Sequence, residues 1–182
     1  MAIDASSFKL GMRRLASGVC LITTVDIDGA ARGMTATAVC SVSASPPTLL
    51  CCINRRNSTY ESVCRSGRFG VNVLALADRP LADLFSMPVS GEEKFATGTW
   101  RREEDGVPIL GSALAAFACR LVQTVVAGTH DIFFGEIHAV ILGQAEGRPL
   151  LYAHGAYGGF ASLTDSSGLD SFWIPSWDDP AG

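Results

Sequence analysis

Residues 33–59 read GMTATAVCSVSASPPTLLCCINRRNST, and this stretch contains two different strand patterns. Its first part alternates Thr with small side chains, and its second part, TLLCCI, is apolar on both faces. Pro46 and Pro47 separate the two parts. Alternation favours a half-buried strand, whereas an apolar run on both faces favours a strand in the centre of a sheet.

Further strand-like runs lie on both sides of this stretch. VCLITTV precedes it, and a tight turn at Asp28-Gly29 predicts a hairpin between that run and a single strand over 31–42. Downstream come RFGVNVLAL, the pair AAFACRLVQTVVAG and HDIFFGEIHAVILG, and finally LLY. About six or seven strands with few helices predict a mainly β fold, an antiparallel barrel that is closed or nearly closed.

The predicted helices are short. Ser7 is a possible N-cap for an amphipathic helix that would cover one end of the sheet. Ser58 and Glu61 form a capping-box pattern, which predicts a helix over 58–66. Residues 86–106 are rich in charge and Gly, and this composition predicts an excursion outside the core.

Composition excludes several classes of protein. The 182 residues are 48% hydrophobic and 18% charged, which fits one folded domain. A net charge of -4 argues against a nucleic-acid-binding surface. The sequence shows neither a secretory leader nor an apolar run long enough for a membrane span, so we expect a cytoplasmic protein.

The cysteines and histidines predict no metal site. The six cysteines lack C-x-x-C spacing, and most of them lie in apolar strand-like runs. We therefore expect buried free thiols. The three histidines are not arranged with the cysteines in a zinc-ligand pattern.

Two segments could bind a ligand. Residues 54–59 place amide, guanidinium and hydroxyl groups at the start of a predicted helix, where the helix dipole favours a phosphate. The alternative is a capped helix beside a solvated basic turn. The small residues of 33–43 could lie against a flat aromatic ligand, or could form an ordinary half-buried strand. The sequence has no G-x-G-x-x-G, P-loop or G-x-S-x-G motif, which argues against a Rossmann domain and a serine nucleophile.

Together with FGVNVL, KF, GTHDIFFGEI and LLYAHGAY, the stretch at 33–59 resembles the flavin reductase family, especially the reductase components of two-component flavin monooxygenases. The similarity covers roughly residues 5–160. It implies an FMN-binding split barrel with a few flanking helices, which forms a homodimer. We expect this domain to occupy residues 1–163, followed by a Trp-containing tail over 164–182.

The resemblance also implies the site. Cofactor-binding candidates lie on the T-A-T-A strand, on the following S-V-S, at the third strand and its turn, and at the last tyrosine: Thr35, Ala36, Thr37, Ser41, Val42, Ser43, Cys52, Asn54, Arg55, Ser58, Thr59 and Tyr157. His130 would lie near the nicotinamide as the catalytic candidate, or serve as a structural residue at a strand end. Many relatives carry a basic pair before the last tyrosine, but here Tyr157 follows His-Gly-Ala. Trp173 is a hypothetical cover for the flavin ring; the alternative is a tail packed on the barrel.

The implied reaction is hydride transfer from NADH to FMN, with FAD possible. Reduced flavin would pass to a separate monooxygenase or to an acceptor such as ferric iron. The main alternative is a non-catalytic protein that binds or stores FMN. A related barrel oxidase of pyridoxine phosphates would need a second basic cluster, and the sequence contains one such cluster.

Overall fold

The computed structural model describes residues 3–143 and 147–160. Within these ranges the helices are α1 (Ala5–Met12), α2 (Ser58–Ser66), α3 (Arg79–Ser86) and α4 (Gly91–Phe95), with a 3-10 turn at Leu76–Asp78. The strands there are β1 (Ser17–Gly18), β2 (Cys20–Val25), β3 (Ala31–Ala36), β4 (Val39–Ala44), β5 (Pro47–Asn54), β6 (Arg68–Val73), β7 (Trp100–Arg102), β8 (Pro108–Leu110), β9 (Ala115–Ala127), β10 (His130–Leu142), β11 (Leu150–Ala153) and β12 (Ala156–Gly159).

Seven of the strands form one antiparallel sheet in the order β3-β2-β6-β9-β10-β5-β4. Its two edge strands, β3 and β4, follow each other in the chain with only Thr37 and Ala38 between them. The Cys52 N–H donates to the Ala38 carbonyl at 3.1 Å, so this corner is bound to β5. The sheet thereby curls into a split barrel. The predicted fold class, mainly β with a few flanking helices, is confirmed.

The hairpin of β2 and β3 is confirmed, with Gly29 in its turn at φ 82°. The prediction of one continuous strand over 31–42 is wrong. The chain breaks at Thr37 and Ala38, so that β3 pairs with β2 whereas β4 pairs with β5. The break is what lets the two edges of the sheet meet, and we call it the β3–β4 corner.

Alternate side chains of β2 face two hydrophobic clusters, because successive residues of a strand point to opposite faces. Cys20 and Ile22 belong to a cluster that also takes side chains from β3, β5, β6, β9, β10 and α2, and that therefore fills the barrel. Val19 and Leu21 belong to a second cluster, which α3 and β8 cover from outside. Every residue of β2 is buried as a result.

The segment 86–106 is not an excursion outside the core. Lys94 of α4 is only 6% exposed, and its Nζ donates to the Gly33 carbonyl of β3 at 3.1 Å. Burial lowers the pKa of this ammonium. Phe95 and Trp100 pack against the outer cluster. The segment thus fixes α3 and α4 onto β3.

Two helix starts differ from the prediction. Asp4, not Ser7, caps α1 and accepts a hydrogen bond from the Ser7 N–H. None of the side chains of α1 is buried, so the expectation that this helix covers one end of the sheet is wrong. Helix α2 spans Ser58–Ser66 as predicted, but its N-cap is Asn57.

The six cysteines are all free. Cys20, Cys51 and Cys119 are buried as expected, whereas Cys40 and Cys64 are exposed. Burial raises the pKa of the Cys20 thiol to about 12, so this thiol is inert at neutral pH.

Asp26, which follows β2, ties α2 to the barrel. Its carboxylate accepts hydrogen bonds from Arg65 Nη2 at 2.6 Å and from Ser62 Oγ at 2.9 Å. The hydrogen bonds from Arg65, followed by the one from the Ile27 N–H, lower the pKa of Asp26 to about 2. Because the unfolded chain has a higher pKa at this carboxyl, ionised Asp26 stabilises the folded state.

We expect Asp26→Asn to lower the free energy of unfolding at neutral pH. The stabilisation from Asp26 is fully present above about pH 4, its ordinary range, and is lost as the pH falls toward about 2. Urea unfolding of both proteins between pH 7 and pH 3 should therefore show a difference that narrows below about pH 4. Glu61→Gln is the control, because Glu61 is exposed and lies 3.8 Å from the same Arg65. A pH-independent difference would contradict the role of the ionised carboxylate.

Candidate functional site

The β3–β4 corner opens into a cavity of about 710 Å³. Thr35, Ala36 and Thr37 form one wall. The other walls come from α3 and from the hairpin of β11 and β12, through Arg79, Asp83, Ser86, Tyr152, Gly155, Ala156 and Tyr157. The structure therefore brings together four of the predicted site residues, Tyr157 among them. We call this space the corner cavity.

The three residues of the corner differ in what they offer a ligand. Thr35 Oγ1 donates to the Ala82 carbonyl of α3 at 2.6 Å, so its hydrogen is already engaged. The Ala36 side chain is 7% exposed and belongs to the cluster inside the barrel. Thr37 is exposed and lines the cavity. Backbone groups and Thr37 are thus the accessible polar features of this wall.

The opposite wall of the corner cavity is aromatic and cationic. The rings of Tyr152 and Tyr157 pack edge to face with centroids 5.3 Å apart. The Arg79 guanidinium lies 5.7 Å from the centroid of the Tyr157 ring. Burial raises the pKa of Tyr157, which keeps its hydroxyl protonated at neutral pH. A cation therefore stands beside Tyr157 although the basic pair is missing, and sequence reasoning missed it because it comes from α3.

Ser41, Val42 and Ser43 do not line the corner cavity. Ser41 and Ser43 border a separate apolar groove of about 250 Å³, formed mainly by β4, β5, β9 and β10. Val42 is 44% exposed. The pairing of β4 with β5 shifts register between Ser41 and Ser43, so the strand is irregular at this point.

The turn between β5 and α2 holds the predicted phosphate ligands. Asn54 Oδ1 accepts a hydrogen bond from the Arg56 N–H at 2.9 Å, and Asn57 Oδ1 accepts one from the Thr59 N–H at 2.9 Å. Both amide oxygens therefore serve the backbone of the turn. Ser58 is exposed, whereas Thr59 is fully buried and its Oγ1 has no hydrogen-bond partner among the described residues.

Arg55 is held in place by an acidic residue that the sequence analysis did not single out. Its Nε donates to Asp131 Oδ1 at 2.6 Å, and Tyr60 Oη donates to Asp131 Oδ2 at 2.8 Å. Burial raises the pKa of Asp131, but the hydrogen bonds from Tyr60 and Arg55 outweigh it and leave the pKa lowered. The bond to Asp131 raises the pKa of Tyr60 to about 12. Arg55 itself stays 39% exposed, so its outer face is open to a ligand.

His130 lies beside this turn. It is the first residue of β10 and pairs with Asn54 of β5. Its ring is exposed, with Nδ1 at 2.9 Å from Thr129 Oγ1. Cys52 is half-buried on β5 and contacts the β3–β4 corner through its backbone, so β5 links the corner to the turn. Desolvation raises the pKa of the Cys52 thiol.

Trp173 and the segment 164–182 lie outside the described residues. Within 3–143 and 147–160, no group of His, Cys, Asp or Glu side chains is arranged to hold a metal ion. No helix of the same ranges has both the length and the apolar character that crossing a membrane requires.

Known proteins share this architecture. The sequence model of the family described as flavin reductase like domain matches residues 12–161 of this chain. An FMN reductase (NADH) of Methylorubrum extorquens, RutF 1, is 46% identical over 156 residues, which are 85% of this chain and 76% of that protein. The flavin reductase PheA2 superposes with a TM-score of 0.78 at 32% identity, over 88% of this chain and all of that one. BorF, the flavin reductase component of a bacterial two-component tryptophan halogenase, gives 0.80 at 29% identity, over 87% and 99%. This chain belongs to the flavin reductase family.

Proposed function

We propose that this protein is an NADH-dependent FMN reductase that supplies reduced flavin to a separate enzyme. The similarity along most of the chain to a relative named FMN reductase (NADH) carries the proposal. FMN, when bound, supplies the ring that accepts the hydride of NADH, and a proton from solvent completes the reduced flavin. The protein then has to bind both molecules and hold their rings face to face. FAD is a possible alternative flavin.

The β3–β4 corner suits the flavin ring. Thr35, Ala36 and Thr37 present a backbone with small side chains, against which a flat ring can lie closely. Because the Thr35 hydroxyl is engaged with Ala82, Thr37 and the backbone amides are the groups that would meet the polar edge of the ring. Tyr157 supplies an aromatic surface across the cavity. The roles of Ser41, Val42, Ser43 and Cys52 stay predictions.

The turn between β5 and α2 suits the flavin phosphate. Backbone N–H groups at the start of α2 and the partly exposed guanidinium of Arg55 favour an anion there. Ser58 is exposed beside them, and a phosphate oxygen would give the buried Thr59 hydroxyl a hydrogen-bond partner, which it lacks among the described residues. Asn54 would act by shaping the turn, since its Oδ1 accepts the Arg56 N–H.

His130 is our candidate for contact with the nicotinamide. Its exposed ring starts β10 beside Asn54, next to the proposed phosphate site. Hydride transfer between the two cofactors needs no acid or base from the protein, so the role we assign to His130 is positioning.

The proposed reaction has a direct test. Purified protein should oxidise NADH, followed by absorbance, only when FMN, FAD or riboflavin is supplied. His130→Ala should raise the KM for NADH with little change in flavin affinity. If FMN binds but NADH is not consumed with any flavin, the alternative of a flavin-storage protein is correct.

Removal of the two hydroxyls at the start of α2 tests the phosphate site. Ser58→Ala combined with Thr59→Val should raise the Kd for FMN about tenfold or more, because a hydrogen bond to a charged group contributes about 1.5–3 kcal/mol. The Kd for riboflavin, which lacks the phosphate, should stay the same. Thr97→Val, at an exposed threonine between α4 and β7, is the control. Equal weakening of FMN and riboflavin would move the phosphate elsewhere.

We also propose that the protein is a homodimer. The groove beside β4 is lined mainly by apolar side chains, including Leu49, Phe117 and Ile137, and Val140 pairs with Phe117 while 55% exposed. Contiguous apolar surface of this kind is typical of an interface. Light scattering should give the mass of two chains, and Val140→Glu should shift it toward one. Ile27→Glu, at a 78% exposed residue of the β2–β3 turn, should leave the mass unchanged. A monomeric parent protein would contradict the proposal.

The proposal names the recipient of the reduced flavin only by its class. BorF is named as a component of a two-component halogenase, which supports a separate flavin-dependent partner enzyme for this chain too. Direct transfer to oxygen or ferric iron is the alternative. A cytoplasmic location and a 1–163 domain followed by a Trp-containing tail stay predictions.

A further inference from the structure

A second cavity, of about 390 Å³, adjoins the corner cavity. It lies between α1 and the β3–β4 corner, and we call it the α1 cavity. Thr37 and Tyr152 line both cavities, so the two share a wall. A ligand with its reactive ring at the corner could therefore extend from one cavity into the other.

The α1 cavity combines apolar and cationic side chains. Phe8, Met12 and Leu15 line it and are 60%, 50% and 60% exposed. Lys9 and Arg13 line it as well, and their spacing of four residues puts both on one face of the helix. The cavity thus offers a surface for a flat ring next to two donors for phosphate oxygens.

The position of α1 relative to the corner is fixed at one end. The Arg13 carbonyl accepts a hydrogen bond from the N–H of His154, in the turn between β11 and β12. The same hairpin carries Tyr152 and Tyr157 into the corner cavity. The apolar face of α1 is therefore held beside the site although none of its side chains is buried.

We propose that the α1 cavity binds the adenosine phosphate end of a dinucleotide, with NADH as the expected source. This inference rests on the proposed function. An extended dinucleotide with its nicotinamide ring on the flavin at the corner would place its pyrophosphate and adenosine in the adjoining cavity, whose lining matches their chemistry. Lys9 and Arg13 pair with the phosphates, and Phe8 packs against the adenine. FAD carries an adenosine phosphate too, so its binding is measured separately.

The test compares donors with and without adenosine. With FMN as the flavin, the variant Lys9→Ala/Arg13→Ala should raise the KM for NADH about tenfold, which is 1.4 kcal/mol. The KM for reduced nicotinamide mononucleotide, which lacks the adenosine phosphate, should not change. Arg14→Ala is the matched control, because Arg14 is an exposed cation at the same helix end that does not line the cavity. The apolar wall is tested in the same way: the KM for NADH of Phe8→Ser is compared with that of Leu10→Ser. Leu10 is the control because it is 61% exposed and does not line the cavity.

Direct binding separates this inference from the proposed function. ADP should bind the parent protein and Arg14→Ala in calorimetry and bind the double variant at least fivefold more weakly, whether or not NADH is oxidised. If the double variant weakens FAD but neither FMN nor NADH, the adenosine site stands and serves the flavin. If NADH and the mononucleotide are affected equally, or ADP fails to bind the parent, the inference is overturned. If Phe8→Ser changes the mass of the assembly in light scattering but leaves ADP binding unchanged, the inference is overturned as well. The apolar face of α1 would then contact a second copy of the chain.

Discussion

The hydrogen bond from the Cys52 N–H to the Ala38 carbonyl, 3.1 Å long, binds the β3–β4 corner to β5 and so helps to close the barrel. It holds the chain where it passes from one edge of the seven-stranded sheet to the other. Thr35, Ala36 and Thr37 of this corner form one wall of the corner cavity, and Tyr157 lies across from them. Closure of the barrel and formation of the corner cavity therefore both depend on the break between β3 and β4.

The sequence predicted the positions of strands and helices better than the point at which a strand is interrupted. The apolar runs of β5, β9 and β10 and the capped helix α2 are all where the patterns placed them. The break at Thr37 and Ala38 could not be seen, because neither residue is a turn former and small alternating side chains look alike in a straight and in a bent strand. The prediction that segment 86–106 lies outside the core was wrong because its composition is mostly polar, although a few of its side chains point inward. Buried Lys94 is one of them.

For the candidate site, the sequence selected segments that lie around the corner cavity and at the turn after β5, but it could not show which atoms are available to a ligand. The turn after β5 contains amides, a guanidinium and hydroxyls, yet Asn54 and Asn57 hold the backbone, and the Thr35 hydroxyl is bound to α3. Tertiary contacts decide which of these polar atoms remain free to bind a ligand. Asp131, which orients Arg55, was missed because it is separated from Arg55 by 76 residues and meets it only through the pairing of β10 with β5.

Local charge matters more at this site than the net charge of -4. Arg79 in the corner cavity and Lys9 and Arg13 in the adjoining one are the cations that line the space in which we propose that an anionic cofactor binds. Asp83 is the acidic residue among these linings, and its contact with Arg79 is long, at 3.8 Å between half-exposed side chains. Such a pair contributes little, so Arg79 stays available to a phosphate. Since salt screens charges beyond about 8–10 Å, a dinucleotide at the site meets mainly these cations, whereas a long polyanion meets the negative surface as a whole.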